Sequence, residues 1–220
     1  MHECLLDMPN ASLPRLTTGH YDLGYRFDVS KPISIKIQSQ DLIGTDAYAR
    51  AALDIQTALP DVRFIMSPTD KLEPPFENTV IFAEIDSDMW FYGLALAAHY
   101  SPEGGFKPCY GTFWDLVIED GIVKDLKGLQ GELTGQAVAN CGLILINRKA
   151  MKRDFDGDPA KGYEIYLAVH EFSHLLGLGH DREGVMVPGI NKNTYVDWKY
   201  TSDDKIALSE LGYRVSGVNA

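Results

Sequence analysis

Apolar and polar residues alternate along Pro32–Gln38, the two-residue period of a strand with one buried face. The period then changes. Across Asp46–Leu59, the residues Ala47, Ala51, Ile55 and Ala58 recur at helical spacing. Val62–Met66 and Thr79–Ile85 are short runs rich in Val, Ile and Phe and predict strands. Gly93–Tyr100 is a further extended candidate, although its alanines leave a helix open. Trp114–Ile118 and Ile122–Leu126, joined through Asp120-Gly121, predict a hairpin. Cys141–Asn147, CGLILIN, predicts a buried strand.

Two helices close the pattern. Pro159–Leu176 has Asp158 as N-cap and Pro159 in its first turn. Its back face, with Ala168, Phe172 and Leu175, is suited to pack on a sheet. Thr201–Tyr213 starts with Thr201 as N-cap and Asp204 three residues on, a capping box, and Asp203 and Asp204 suit the positive end of the helix dipole. Apart from the hairpin, the order is strand, helix, four strands, two helices. There is no internal repeat and no low-complexity segment.

The chemistry concentrates in the first of those last two helices, in the run HEFSHLLGLGH. His170 and His174 lie four residues apart, about one turn, so their imidazoles share a face and can aim at one Zn²⁺. Glu171, beside the first of them, can reach a water without binding the metal itself. Gly177 permits the left-handed turn that brings His180 back as a third ligand. Three histidines leave the fourth position of a tetrahedral ion open, the catalytic arrangement. A rival reading takes the third ligand from a downstream glutamate. Glu183 is too close, and Glu210 in the last helix has no supporting motif, whereas His180 is in register.

The motif, with Met186 following in Gly184-Val185-Met186-Val187-Pro188, resembles the metzincin clan of zinc metallopeptidases. The order Met186-Val187-Pro188 and the segment TSDDKIALSELGY resemble the matrixins, the matrix-metalloproteinase type. The resemblance implies an α+β, zincin-like catalytic domain over 21–213, with a twisted, mixed five-stranded sheet and three main helices. Residues 1–20 are then an N-terminal segment and 214–220 a C-terminal tail. It implies a zinc metalloendopeptidase acting on protein or peptide substrates. Glu171 would be the general base, His170, His174 and His180 the zinc ligands, and Gly177 and Met186 structural residues. Pro188 and Tyr195 would wall the substrate pocket. An edge strand that pairs with extended substrate falls in Gly93–Tyr100. The alternative is a partner-specific binding protein or toxin-like effector that keeps the fold with little general proteolysis; the intact Glu171 speaks against it.

The chain departs from the matrixin pattern in three places. The link from His180 to Met186 is short, Asp181 stands where serine is usual, and 103–140 is an insertion that either shapes specificity or covers a sheet edge. Only His2, His20 and His99 remain outside the motif, widely spaced, so the second, structural zinc of matrixins is not expected. The run Asp154-Phe155-Asp156-Gly157-Asp158 offers the carboxylates of a Ca²⁺ site. Its register fails for an EF-hand: glycine comes too early and Ile165 holds the twelfth position. A turn feeding the helix cap is the competing reading.

Composition sets the outer bounds. Two hundred and twenty residues are enough for one domain with a sizeable core. A net charge of −11 argues against nucleic acid, which favours a basic footprint. No apolar run approaches a membrane span. Met1–Pro9 shows no signal-peptide pattern, whereas the resemblance implies a secreted protein. Cys109 and Cys141 can bridge or stay as buried thiols, and Cys4 is left over. The sequence around Cys4 does not match the propeptide switch of matrixins.

Overall fold

A computed structural model describes the chain apart from residues 1–12, 25, 40–41, 70, 72, 74–75, 89–91, 102–104, 109–113, 120–121, 129–140, 156–159, 189–197 and 219–220. For 42–43, 68, 97–101, 105–108, 114–119, 122–128 and 160–161 it describes the backbone alone.

Five main strands form a mixed sheet in the order β2-β1-β3-β8-β4, and a short sixth strand extends it beyond β4. They are β1 (Ile33–Gln38), β2 (Phe64–Pro68), β3 (Thr79–Ile85), β4 (Gly93–Ser101) and β8 (Cys141–Asn147). The first four in spatial order run parallel, and β4 runs antiparallel to β8. The burial pattern follows position in the sheet. β1 buries Ile33, Ile35 and Ile37 on one face, as its alternation predicts. β3 and β8, in the middle, are buried at every position, which is why they are rich in apolar residues rather than alternating.

The α+β class and the five-stranded sheet are as expected. α1 (Leu42–Ala58) makes the crossover between the parallel strands β1 and β2. α3 (Ala160–Leu175) packs beside it, and Ala168, Phe172 and Leu175 are fully buried. Phe172 meets Phe64 of β2 edge-on at 5.3 Å, and Phe82 of β3 lies 5.9 Å away with Tyr48 of α1 stacked on its other side. Gly142 of β8 lets the helix come close: a Cβ there would lie 2.4 Å from Leu175 Cδ1. α4 (Ser202–Glu210) carries the expected capping box, with Thr201 Oγ1 accepting from Asp204 N and Asp204 Oδ2 accepting from Thr201 N.

Several bounds differ from the sequence reading. β2 begins two residues later than expected, because Val62 N–H is drawn back to Leu59 O at the end of α1. α1 starts at Leu42 rather than Asp46. α2 (Arg148–Asp154) was not expected at all; Asn147 caps it through Ala150 N, and Met151 joins the core. The proposed cap of α3, Asp158 with Pro159, lies outside the described residues.

The insertion holds β5 (Gly105–Pro108), which pairs with Ala98–Ser101 of β4 where pairing with β8 ends. It also holds the hairpin β6 (Trp114–Glu119) and β7 (Ile122–Gly128), whose turn residues Asp120 and Gly121 are outside the described set. β4 is therefore the outermost of the five long strands, with its far half extended by β5.

A buried charged cluster ties four elements together. Arg148 of α2 pairs with Glu84 of β3 at 3.0 Å and with Glu164 of α3 at 2.6 Å. Tyr48 of α1 and Ser39 also donate to Glu84. Gly44 leaves the space for it, since a Cβ would fall 2.1 Å from Glu84 Oε1.

Candidate metal centre and its surroundings

α3 presents His170 and His174 one turn apart, then ends where Gly177 turns left-handed with φ 96°. Leu178 N–H reaches back to Ser173 O and Gly177 N–H to His174 O, which fixes the turn. The chain then delivers His180 to the same point. The three Nε2 atoms lie 3.1–3.3 Å apart, and all three side chains are buried.

These spacings decide what the cluster can be. His170 Nδ1 lies 2.6 Å from Val185 O and His174 Nδ1 lies 2.8 Å from Leu178 O. A carbonyl only accepts, so both Nδ1 atoms carry the proton and both Nε2 atoms face inward as lone pairs. Burial, then the His180 and His170 rings, hold His174 well below the usual imidazole range, in the neutral form that a metal needs. Facing lone pairs repel unless a cation lies between them. Tetrahedral zinc with bonds of about 2.0–2.1 Å sets its ligand nitrogens about 3.3–3.4 Å apart, so the donor set fits zinc within a few tenths of an ångström.

The third ligand's loop is stitched to Tyr21–Leu23. Asp22 bridges Leu178, Leu23 N–H bonds Gly177 O, and Gly179 N–H bonds Tyr21 O. Gly179 is required by that approach: a Cβ would sit 2.6 Å from Tyr21 Cβ. The short link to Met186 closes through Asp181 N–H to Met186 O. Val185 and Met186 are fully buried in a 3-10 turn, so the turn supports the first ligand through the Val185 carbonyl.

Glu171 is buried beside the cluster. Among the described residues its Oε2 has no hydrogen-bond partner, while the Ala95 N–H of β4 serves the carboxylate's other oxygen. Burial pushes the carboxyl up to about 8, with the Ala95 N–H pulling the other way. A divalent cation at the histidines would pull it down. Gly93 packs under the same carboxylate, where a Cβ would lie 2.8 Å from both Glu171 Oε1 and Leu167 Cδ1. Gly93→Ala is therefore expected to shift the carboxylate and lower kcat about 10-fold or more while leaving zinc stoichiometry intact. Unchanged turnover in this variant would show that the carboxylate accommodates the methyl group.

The remaining candidates sort plainly. Glu210 is not near the cluster; its carboxylate accepts from Thr17 N and Thr17 Oγ1. Glu183 is exposed on the turn. Pro188 is half-buried just after Val187, whose carbonyl accepts from Tyr166 OH. Tyr195 and Gly189 lie outside the described residues, as do Cys4, Cys109, His2, Asp156, Gly157 and Asp158. Cys141 is buried at the start of β8. Asp154, the first carboxylate of the calcium reading, is engaged by Tyr92 OH and Arg153. His99 has its backbone in β4.

Two residues near the site were missed by sequence reasoning. Tyr166, one turn before His170, lies 5.8 Å from its ring and fills the space toward Val187. Asp204 does more than cap α4: its Oδ2 also accepts from Val185 N, and its Oδ1 meets His20 Nε2. Burial pushes the Asp204 carboxyl up, but hydrogen bonds from His20, Thr201 and Val185 outweigh it and hold it below the usual range. A depressed carboxylate contributes fully above its unfolded value of about 3.9 and loses that contribution as pH falls through the folded value. Asp204→Asn should accordingly give a flatter stability profile below about pH 4 than the wild type. Chemical denaturation across that range checks it, and parallel profiles would remove Asp204 as the source of acid sensitivity.

A helix-borne histidine pair, a third histidine beyond a left-handed glycine and a buried carboxylate are the parts of a zinc-metallopeptidase site. Comparison with known families narrows the class: residues 114–213 match the matrixin family model, and all three histidines fall inside that match. Over that stretch the chain is similar to the matrixins. No curated protein matches it. The match and the histidine cluster together support a zinc metallopeptidase in general.

Proposed function

We propose that the protein is a zinc endopeptidase in which His170, His174 and His180 hold the metal and Glu171 is the general base. The observation that carries this reading is the unpartnered, buried Glu171 Oε2 beside three converging Nε2 atoms. A buried carboxylate oxygen without a partner costs about 1–3 kcal/mol or more. A protein that only binds a partner through this fold gains nothing from that cost, whereas a base for water needs that oxygen open.

His170, His174 and His180 would hold the zinc, which when bound would supply Lewis-acid chemistry toward the scissile carbonyl and water. Glu171 Oε2 takes the proton from the attacking water and returns it to the leaving nitrogen. The Ala95 N–H, from the strand next to the site, holds the other oxygen and so fixes the direction of the transfer. Val185 O and Leu178 O keep the two helix-borne imidazoles in the tautomer that faces the metal. An extended peptide would lie along β4, and Pro188 with Tyr195 would wall its side-chain pocket. The catalytic unit in this reading spans 21–213.

The test is direct. The purified protein should bind one zinc per chain and cleave a denatured protein substrate, with activity removed by a chelator and restored by zinc. Stoichiometric zinc without any cleavage would favour the binding-protein alternative, and no zinc at all would defeat both.

A further inference from the structure

We propose that His20 is a positioning residue for the zinc centre, acting through Asp204 and the Val185 backbone on the ligand His170; this rests on the zinc reading above. Among the described residues His20 is the histidine side chain outside the ligand set, and it is completely buried. It lies 150 residues before His170 in the chain, in the segment that runs past the ligand loop.

The contacts form a continuous line. His20 Nδ1 lies 2.9 Å from Thr18 Oγ1 and 3.8 Å from Asp181 Oδ2. Its Nε2 lies 3.1 Å from Asp204 Oδ1, and both side chains are fully buried. The other oxygen of Asp204 accepts from Thr201 N, Thr201 Oγ1 and Val185 N. Val185 in turn accepts from His170 Nδ1 through its carbonyl. Gly184 permits the close approach of the turn, with φ 81° and a would-be Cβ 2.6 Å from Asp204 Oδ2.

The physical argument is one of hydrogen-bond accounting. An ionised Asp204 only accepts, so His20 Nε2 carries the proton toward it. Without that donor, Oδ1 is left buried and unpaired, and the carboxylate must turn or take a proton. Either change loosens its hold on Val185 N. The carbonyl of the same residue is what fixes the tautomer and the plane of the first zinc ligand. Losing an outer-shell partner of a ligating histidine typically costs about 10–100-fold in metal affinity. His20 stands further back, so the lower end applies.

The experiment compares zinc dissociation, read by chelator competition, in wild type, His20→Leu, His20→Gln and His20→Asn. The Co²⁺-substituted proteins supply a visible spectrum that reports ligand geometry without reference to cleavage. Glutamine can place an N–H near the Nε2 position, whereas asparagine reaches only the Nδ1 side. Expected is about 10-fold weaker zinc binding and an altered Co²⁺ spectrum in His20→Leu, with recovery in His20→Gln but not in His20→Asn. If His20→Leu does not fold, the Gln and Asn variants decide between them. Equal zinc release in those two, or wild-type release in His20→Leu, would overturn the proposal. Failure of the wild type to bind zinc would instead overturn the reading on which it stands, a separate result.

Discussion

Glu171→Ala should keep its zinc and lose cleavage by about 10²–10⁴-fold, the usual contribution of a positioned general base. The carboxylate is not needed to assemble the histidines, whose Nδ1 partners are the carbonyls of Val185 and Leu178. Among the described residues it accepts a backbone hydrogen bond from Ala95, and its second oxygen is buried with no partner. That arrangement predicts an unusual sign for stability. Removing an orphaned polar atom relieves its desolvation cost, so the zinc-free variant should unfold at the same or a higher denaturant concentration than wild type. Glu171→Gln sharpens the test, because it keeps the shape and the Ala95 contact but cannot take a proton. Substantial cleavage by the Gln variant would end the assignment of Glu171 as the base, whatever its zinc content.

Arg148→Leu should cost the most stability, about 3–5 kcal/mol, the range for breaking a buried ion pair from one side. The guanidinium faces Glu84 and Glu164, and all three side chains are nearly excluded from solvent. Burial works against the charged guanidinium, but the hydrogen bond and charge of Glu84, with the charge of Glu164, outweigh it and hold the group above its already high range. With the cation gone, Glu84 keeps the hydroxyls of Tyr48 and Ser39, but two buried carboxylates then face each other without a neutralising charge. Arg148→Lys should fall between, since a single ammonium cannot serve both carboxylates with the fork of a guanidinium. Urea unfolding with unchanged m-value measures the loss. A difference below about 1 kcal/mol would mean that the cluster is hydrated and behaves as a surface pair.

What the sequence could disclose was whatever is decided within a turn or two of chain. HEFSHLLGLGH carries its own geometry: two histidines a turn apart, a glycine at the helix end and a third histidine beyond it. The capping box of Thr201 and Asp204 is likewise local. β3 and β8 were legible with correct ends because strands buried on both faces are dense in Val, Ile, Leu and Phe, with their few polar residues at or near the ends. α2 was not, since Arg148–Asp154 is too short for a helical period to register and carries mostly charged residues. Its stability comes from Glu84 and Glu164, which are distant in sequence. β2 slipped by two residues because Val62 is equally apolar as a strand residue and as the plug behind α1. The meaning of His20 was beyond reach for the same reason. An isolated histidine carries no signal until the fold sets Asp204 against it, and the second duty of Asp204 is hidden behind its local role as a cap.

The stitching of Tyr21–Leu23 to Gly177–Gly179 also orders events in time. His170 and His174 belong to one helix and can come together within microseconds or less of helix formation. His180 is held by backbone bonds to a segment more than 150 residues away in sequence, and such long-range contacts form late. During refolding, metal capture should therefore proceed in two stages, a loose association with the helix pair followed by tight closure. The slow stage should track docking of Tyr21–Leu23, as a fluorescent label placed in that segment and a zinc-sensitive dye followed together would show.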